Sequence, residues 1–260
     1  MSALDQITPL ILTFNEEANI ARCLDRLRWA KRVIVLDSGS TDATESLARG
    51  FANAELVRWP FDSFAEQCNF GLAQVQTPWV LSLDCDYVLN EGFEDEAALL
   101  IAEGTLAGYR AAFRYCIHGR PLSATLYPPR YVLYRKDLAR YENEGHGHRV
   151  RISGHVGDMR SKIDHDDRKP LSRWLMSQIK YAQMEAVFLT NSSPESFSRT
   201  DKLRRLGWLM PLLAPVYCLF VKGLWRDGLA GWHYTLQRWL AECMIALALA
   251  DRRLVECVAS

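Results

Sequence analysis

Two carboxylates separated by one residue, Asp84 and Asp86, follow directly on an apolar segment, residues 79–83, that is typical of a strand. A turn at the end of that strand can bring both side chains to one hard cation such as Mg²⁺ or Mn²⁺. A cation held in this way can carry the diphosphate of a substrate. An isolated Asp-x-Asp also caps strands without any ligand, so its meaning depends on the segments around it.

The first hundred residues alternate between strand patterns and helix patterns. The four predicted strands cover residues 7–14, 32–36, 55–58 and 79–83. Helical patterns follow the first three strands, and two of them open with capping-box residues, Asp42 with Glu45 and Ser63 with Glu66. This alternation predicts a parallel sheet covered by helices on both faces.

Polar residues stand at the carboxyl ends of these strands, which is where ligands bind in parallel sheets. They are Thr13, Asn15 and Glu16 after the first strand, Asp37 and Ser38 after the second, and Asp84 and Asp86 after the fourth. We expect one rim to carry all of them. The chain has no Gly-x-Gly-x-x-Gly after its first strand and no Gly-x-x-x-x-Gly-Lys-Ser/Thr, so the dinucleotide and P-loop classes lose their main support.

Four segments in this order resemble the signatures of family-2 glycosyltransferases with the GT-A fold. They are residues 11–17 (Ile-Leu-Thr-Phe-Asn-Glu-Glu), 37–44 (Asp-Ser-Gly-Ser-Thr-Asp-Ala-Thr), 67–71 (Gln-Cys-Asn-Phe-Gly) and 83–86 (Leu-Asp-Cys-Asp). The resemblance is close over residues 7–90, and beyond them the chain is similar to the lipopolysaccharide inner-core glucosyltransferase branch. It implies an α/β fold of the GT-A type, with a doubly wound mixed sheet. Tyr87 departs from the inner-core branch, which often has Glu after the Asp-x-Asp.

The resemblance also implies roles for individual residues. Glu16 and Asp37 would contact the base and ribose of a nucleotide, Asp84 the ribose or the surroundings of the metal, and Asp86 the metal. The other residues assigned to the donor pocket are Thr13, Asn15, Ser38, Gln67, Asn69 and Cys85. A late His completes the metal site or touches the diphosphate in some GT-A enzymes, and His165 is the candidate here, with a loop cap as the alternative.

Sugar transfer with inversion needs a carboxylate that accepts the proton of the acceptor hydroxyl and a positive charge that stabilises the departing diphosphate. Glu144 is the candidate base, because glycines flank His146 and let the backbone of residues 144–148 approach a substrate closely. The alternative is a surface turn. Arg130, Arg135 or Lys136 could add charge near the phosphates, and Arg135 is assigned to donor binding; a solvated loop is the alternative for these three.

Composition narrows the classes of function. Lys and Arg total 31 and Asp and Glu total 31, so the chain lacks the net positive charge of a nucleic-acid-binding protein. The seven Cys are scattered and include no Cys-x-x-Cys, which argues against a disulfide framework or a zinc site. The N-terminus lacks the basic start and apolar core of a secretion signal, which predicts a cytoplasmic protein.

The chain is expected to divide into a catalytic domain, residues 1–170, and a helical extension, residues 171–260. Residues 206–221 carry no charge, but they are 16 residues with two prolines, and a bilayer-spanning helix needs about 20 apolar residues. Seven Lys or Arg against two Asp between residues 199 and 239, together with four Trp, predict peripheral contact with an anionic membrane surface. A core hairpin or a dimer interface is the alternative.

The sequence therefore predicts a metal-dependent inverting glycosyltransferase on the inner face of the cytoplasmic membrane. The donor would be a nucleoside-diphosphate sugar, with a UDP-sugar as the first candidate, and the acceptor a glycolipid or lipid-linked saccharide of cell-envelope polysaccharide biosynthesis. Two alternatives stay open. One is a nucleotidyltransferase, which would release pyrophosphate, and the other is a non-catalytic, membrane-bound module that binds nucleotide sugars.

Overall fold

The computed structural model describes residues 2–144, 147–193, 195 and 197–259, and only the backbone of Glu144, Gly147, His148 and Ala259. Its internal contacts define two units. The first comprises Met1–Pro121 and Thr125–Arg168, and the second comprises Leu122–Ala124 and Lys169–Ser260. The first unit thus ends at Arg168, against the expected boundary after residue 170, and the three-residue segment Leu122–Ala124 belongs to the second unit.

Parallel strands and helices alternate at the start of the first unit, as predicted. The strands are β1 (Ile7–Thr13), β2 (Val33–Asp37), β3 (Ala54–Arg58) and β4 (Trp79–Asp84), and the helices are α1 (Ile20–Asp25), α2 (Thr44–Ala48) and α3 (Phe64–Gln74). Ser63 caps α3, since its hydroxyl accepts from the N–H of Glu66 at 3.3 Å. The predicted capping box of α2 does not form, because Glu45 pairs with Arg58 instead.

The remaining strands of this unit turn the sheet into a mixed one. They are β5 (Tyr87–Leu89), β6 (Gly108–Ile117), β7 (Arg120–Pro121), β8 (Arg130–Arg135) and β11 (Val156–His165), and α4 (Phe93–Glu103) lies between β5 and β6. The strand order is β3-β2-β1-β4-β8-β6-β11-β5. β8 runs antiparallel to β4 and β6, whereas β11 runs parallel to β6. β9 (Ala139–Glu144) and β10 (Gly147–Ile152) form a separate antiparallel hairpin.

The core of the first unit lies on both faces of the sheet. Side chains alternate along each strand, so Ile11 packs with Leu24 of α1 in one cluster, while Leu10 and Leu36 pack with Leu72 of α3 in the other. Burial of each such side chain contributes about 1.5–3 kcal/mol. Because both faces are covered, the parallel strands are continuous apolar runs that end at polar residues, and those ends are left to face a ligand.

The second unit is helical. Its helices are α5 (Leu171–Asn191), α6 (Arg199–Arg204), α7 (Leu209–Val216) and α8 (Gly228–Ala259), and a π-helical turn, Tyr217–Val221, continues α7. α5 packs on α8, and Arg204 binds the carboxylates of Glu185 at 2.9 Å and Glu242 at 2.6 Å. Among the described residues no helix is by itself long and apolar enough to cross a bilayer. Only the pair Leu209–Val221 and Leu224–Val258, bent by 73°, meets that test when taken together.

Candidate active site

The predicted rim lies at the carboxyl ends of β2, β1 and β4, which are neighbours in that order. In the strand register Thr13 lies opposite Asp37, and Leu12 lies opposite Asp84. One strand separates β2 from β4, so the two Asp-bearing ends stand about 10 Å apart. The strand order reverses here, because β2 and β4 both pair with β1, and a reversal of this kind opens a crevice for a ligand.

Three acidic side chains of this rim raise the pKa of one buried thiol. Burial raises the pKa of the Cys23 thiol in α1, and the negative charges of Asp86, Asp84 and Glu16 raise it further. These three carboxylates, which lie far apart in the sequence, therefore come close enough to influence one sulfur atom. The structure thus brings Glu16 together with the Asp-x-Asp pair.

Asp37, at the end of β2, is fully buried, and protein groups surround its carboxylate. Its Oδ1 accepts from the hydroxyls of Thr13 at 3.0 Å and Ser40 at 2.5 Å. Its Oδ2 accepts from the N–H groups of Gly39 at 2.8 Å and Ser40 at 2.7 Å. Asp37 therefore shapes the loop after β2, in which Gly39 takes a φ of 92°. Contact of Asp37 with a base or ribose stays a prediction.

Asn15 joins the loop after β1 to the loop after β2. It has a φ of 54°, in the left-handed region that Asn tolerates better than most residues. Its N–H donates to the Ser40 hydroxyl at 2.8 Å, and its Oδ1 accepts from the N–H of Thr41 at 2.7 Å. The half-buried carboxylate of Glu16 follows and accepts from the Asn19 amide at 2.8 Å. The two loops are therefore one connected structure.

Gln67 and Asn69 lie on α3 but reach different places. The amide of Gln67 donates to the hydroxyl of Ser38, so Gln67 contacts the rim. The amide of Asn69 donates to the carbonyl of Tyr141 and accepts from its N–H, both at 2.9 Å. Asn69 is thus committed to the backbone of β9 and holds the β9–β10 hairpin, and its part in the donor pocket stays a prediction.

The turn predicted after β4 is present at residues 85–86, between Asp84 and β5. Asp84 is exposed and Asp86 is half-buried. β5 pairs with β11 in a register that sets Tyr87 opposite His165. As a result the Nε2 atom of His165 lies 3.4 Å from Oδ2 of Asp86. A carboxylate and an imidazole distant in the sequence thus meet at the rim.

Aromatic rings surround His165. Its ring centroid lies 4.7 Å from that of Tyr127 and 4.6 Å from that of Tyr115. The hydroxyls of Tyr127 and Tyr87 lie 2.5 Å apart and share a hydrogen bond. Burial raises the pKa of Tyr127 to about 12, and the charge of Asp84 acts in the same direction. Sequence reasoning missed this cage, because Tyr115 and Tyr127 stand in no motif.

Asp166 holds the end of β11 in place. Its carboxylate is almost fully buried and accepts from Arg22 at 2.7 Å, from Arg168 at 2.8 Å and from the N–H of Gly119 at 3.0 Å. Its own N–H donates to the carbonyl of Asp86 at 2.9 Å. Burial raises the pKa of Asp166, but the bonds from Arg168 and Gly119 and the charge of Arg22 outweigh it, so the pKa is lowered. A dense run of charged residues after His165 was the only sequence signal.

Two residues assigned to donor binding lie elsewhere, which corrects the sequence prediction. The side chain of Cys85 is 2% exposed and belongs to the hydrophobic core, because it points away from the face that carries Asp84. Arg135 lies opposite Trp79, at the start of β4, and pairs with Asp137 at 3.1 Å. Since β8 is antiparallel to β4, its last residue is at the far end of the sheet from the rim.

Arg130, at the first position of β8, lies at the end of that strand that is nearer to the rim. Its guanidinium lies 5.3 Å from the centre of the Tyr127 ring, and that ring stacks on His165. Lys136, the third basic candidate, donates to the carbonyl of Val75 instead. Arg130 is therefore the basic residue of this group that neighbours the rim.

The candidate base Glu144 ends β9 at the tip of the hairpin; its side chain, and the whole of His146, lie outside the described residues. The body of the hairpin is well anchored. The hydroxyl of Tyr141 lies 2.9 Å from that of Ser82 on β4, two residues before Asp84. The hairpin that carries Glu144 is thus tied to the strand that carries Asp84.

The groups at the end of β4 suit a hard divalent cation. Asp86 and His165 offer a carboxylate oxygen and an imidazole nitrogen side by side, and Asp84 offers a second carboxylate two residues away. Mg²⁺ in nucleotide sites takes one or two carboxylates and completes its shell with phosphate oxygens and water. Within the described ranges no group of three or more His, Cys, Asp or Glu side chains is placed so that it could hold a metal ion by itself. The residues present fit a metal shared with a diphosphate.

Comparisons with known proteins show what this chain is similar to. The family described as Glycosyl transferase family 2 matches residues 10–153, more than half of the chain. Over 242 residues the chain is 27% identical to the lipopolysaccharide core biosynthesis glycosyltransferase LpsC of Rhizobium meliloti (strain 1021), a match that covers 86% of this chain and 84% of LpsC.

Further relatives match a smaller part or the fold alone. The uncharacterized glycosyltransferase RT0209 of Rickettsia typhi is 31% identical over 109 residues, which are 42% of this chain and 37% of that protein. Among solved structures, S. aureus TarS superposes with a TM-score of 0.50 at 18% identity and covers 92% of this chain and 54% of TarS. That likeness is one of fold.

Proposed function

Because the chain belongs to glycosyl transferase family 2, we propose that this transferase moves a sugar from a UDP-sugar to a glycolipid or lipid-linked saccharide, with inversion and with a divalent metal. The observation that carries the proposal is the meeting of Asp86 and His165 at 3.4 Å beside Asp84, at the reversal of strand order. The similarity to LpsC over most of both chains supports an acceptor in lipopolysaccharide core biosynthesis.

The donor would lie along the rim. Its base and ribose would face the joined loops after β1 and β2, where the Glu16 carboxylate and the Gln67–Ser38 pair stand. Its diphosphate would lie over the end of β4, between Asp84 and the Asp86–His165 pair. When bound there, a divalent metal ion supplies the positive charge that offsets the charge of the leaving diphosphate. Arg130 adds a second cation on the same side.

The transfer itself would make one bond and break another. The acceptor oxygen bonds to the anomeric carbon of the sugar, the bond from that carbon to the diphosphate oxygen breaks, and UDP leaves with the electron pair. The proton of the acceptor hydroxyl passes to a carboxylate on the opposite side of the sugar, a role for which Glu144 is our candidate. The hydrogen bond between Tyr141 and Ser82 ties β9, which ends at Glu144, to the strand that ends at Asp84.

The decisive experiment is a transfer assay with the Asp86→Ala and Asp86→Asn variants. UDP release from a panel of UDP-sugars would be measured with Mn²⁺ and with extracts of lipid-linked saccharides as acceptors. We expect both variants to lose turnover while thermal unfolding stays close to that of the parent. Asp158→Asn is the matched control, because Asp158 is an exposed acid paired with Arg110 in the same unit.

Three results would contradict the proposal. Transfer by Asp86→Ala at the parental rate would remove Asp86 from the metal site. Release of pyrophosphate from nucleoside triphosphates, with no UDP released from any sugar donor, would indicate a nucleotidyltransferase. Binding of UDP with metal, but no transfer to any acceptor, would indicate a non-catalytic binding module.

A further inference from the structure

The second unit turns an apolar helix face to its outside. From α7 through the π-helical turn, large exposed apolar side chains recur at intervals of four residues; they are Leu212, Leu213, Val216, Tyr217, Phe220 and Val221, here called the α7 face. Ala214, Cys218 and Leu219 lie between them and are buried. Phe220 is 70% exposed and Val221 is 67% exposed. One side of the segment is therefore exposed and the other is buried, although the side chains are apolar on both.

α8 packs on α7 and carries a second row of exposed apolar side chains. Large apolar side chains recur along it at intervals of three and four residues and are also exposed; they are Leu229, Trp232, Leu236 and Trp239, here called the α8 stripe. Its other side buries Tyr234 and Ala241. A helix face in contact with water is normally polar, and single exposed apolar residues need no explanation. An exposed apolar set of this size on packed helices marks a surface that is covered in the working protein.

The charges beside the α7 face indicate what covers it. Lys222 follows the face directly, and its Nζ lies 5.8 Å from the centre of the Tyr217 ring. The guanidinium of Arg226 lies 5.2 Å from the centre of the Trp225 ring. Residues 206–226 contain no Asp or Glu, and the following Asp227 accepts from the N–H and hydroxyl of Ser123, both at 2.9 Å. Basic residues beside tryptophan and tyrosine suit the headgroup layer of an anionic bilayer.

The shape of the segment favours a position in the membrane plane. Gly223, at a φ of 73°, separates the α7 face from the helices that follow, and the two helical stretches are bent by 73°. Neither stretch is sufficient to cross a bilayer by itself. An amphipathic helix that lies at the interface buries its apolar side in the acyl region and keeps its cations at headgroup level.

We propose that the α7 face, with Lys222 and Arg226 at its edge, is the surface by which this enzyme binds an anionic lipid bilayer, and that the α8 stripe extends the contact. The inference rests on the proposed function in one respect: contact with the bilayer would bring the enzyme to a lipid-linked acceptor. A second copy of this chain is the competing occupant, because the spacing of the α8 stripe also suits helix pairing.

The test is vesicle binding by the full chain, with phosphatidylglycerol–phosphatidylcholine vesicles compared with pure phosphatidylcholine. The double variant Phe220→Gln/Val221→Gln should lose about tenfold or more of its partitioning onto the anionic vesicles. Leu99→Gln is the matched control and should bind as the parent does, since Leu99 is 66% exposed on α4 of the first unit. Lys222→Glu should weaken binding to the anionic vesicles and reduce its sensitivity to salt.

Other readouts separate this inference from the proposed function. Hydrolysis of the UDP-sugar by water should be unchanged in the double variant, and its thermal unfolding should match that of the parent. If the parent prefers anionic vesicles no more than neutral ones, the lipid surface is refuted while the transferase proposal stands. If the double variant binds vesicles normally but converts a dimer to a monomer in sedimentation, the face is an interface between copies and the lipid proposal is overturned.

Discussion

Replacement of Asp166 by Asn should weaken the first unit and loosen His165 at the same time. The carboxylate is 4% exposed and accepts from Arg22, Arg168 and the N–H of Gly119 at 2.7–3.0 Å. Asn keeps the shape and one acceptor oxygen, but it carries no charge, and its NH₂ group would face guanidinium donors. The variant therefore leaves two arginines without their shared anion.

The expected magnitude follows from the exposure of the arginines. Removal of one partner from a fully buried ion pair costs about 3–5 kcal/mol, because a buried charge is left uncompensated. Here the side chains of Arg22 and Arg168 are 33% and 35% exposed, so water replaces part of what the carboxylate supplied. We expect the free energy of unfolding to fall by about 2–3 kcal/mol at neutral pH.

The loss should depend on pH. Because the pKa of Asp166 is lowered from 3.8 in the folded chain, its carboxylate contributes stability that is fully present above the unfolded pKa. That contribution disappears as the pH falls through the lowered folded pKa. The difference between parent and Asp166→Asn should therefore be constant from neutral pH down to about pH 4 and should close below it.

Urea unfolding followed by tryptophan fluorescence, repeated over a range of pH, measures both effects. Asp158→Asn breaks an exposed pair with Arg110 and should change the unfolding free energy by less than about 1 kcal/mol. Titration with Mn²⁺ should show weaker binding by Asp166→Asn. The N–H of Asp166 donates to the carbonyl of Asp86, and Asp166 follows His165 directly, so a loosened residue 166 also loosens the Asp86–His165 pair. Equal urea midpoints at neutral pH, or a difference that persists unchanged into acid, would refute this reasoning.

Two further predictions concern the rim and the hairpin. Asp37→Ala leaves the N–H groups of Gly39 and Ser40 without their acceptor, and the free energy of unfolding measured in urea should fall by about 2–4 kcal/mol. Asp37→Asn keeps an oxygen for both N–H groups, so its loss should be clearly smaller. A larger loss in Asp37→Asn than in Asp37→Ala would contradict the assigned network. Tyr141→Phe removes a buried hydroxyl that is hydrogen-bonded to Ser82 on β4 and Tyr134 on β8, so the free energy of unfolding should fall by about 1–3 kcal/mol. Turnover should also fall, because the hairpin carries Glu144. A variant with the parental urea midpoint and turnover would count against this anchor.

The first half of the fold was predictable because its strands are parallel and buried on both faces. Such strands are continuous apolar runs bounded by polar residues, and β1, β2, β3 and β4 end within one residue of the predicted positions. The later strands were not predicted in the same way. β8 inserts between β4 and β6 in antiparallel directions, and no local pattern in residues 130–135 specifies those partners.

The errors at the site have the same origin. Arg130 and Arg135 stand at the two ends of one strand, and only the antiparallel pairing with β4 decides which of them is near the rim. Cys85 lies between two acidic residues in the sequence, but alternation of side chains sends it into the core. Local sequence supplied the residue types at the site, and strand direction and side-chain alternation selected among them.

By itself, the sequence determined the alternation of strands and helices up to Asp84, the acidic residues at the strand ends and the resemblance to family-2 glycosyltransferases. Only the tertiary structure decided that His165 meets Asp86, that Tyr127 stacks on His165 and that Asp166 joins Arg22. The physical reason is that apolar periodicity and capping act between near neighbours in the chain. Contacts between distant residues depend on the pairing, direction and register of strands. These are set only when the whole sheet forms and both of its faces are buried.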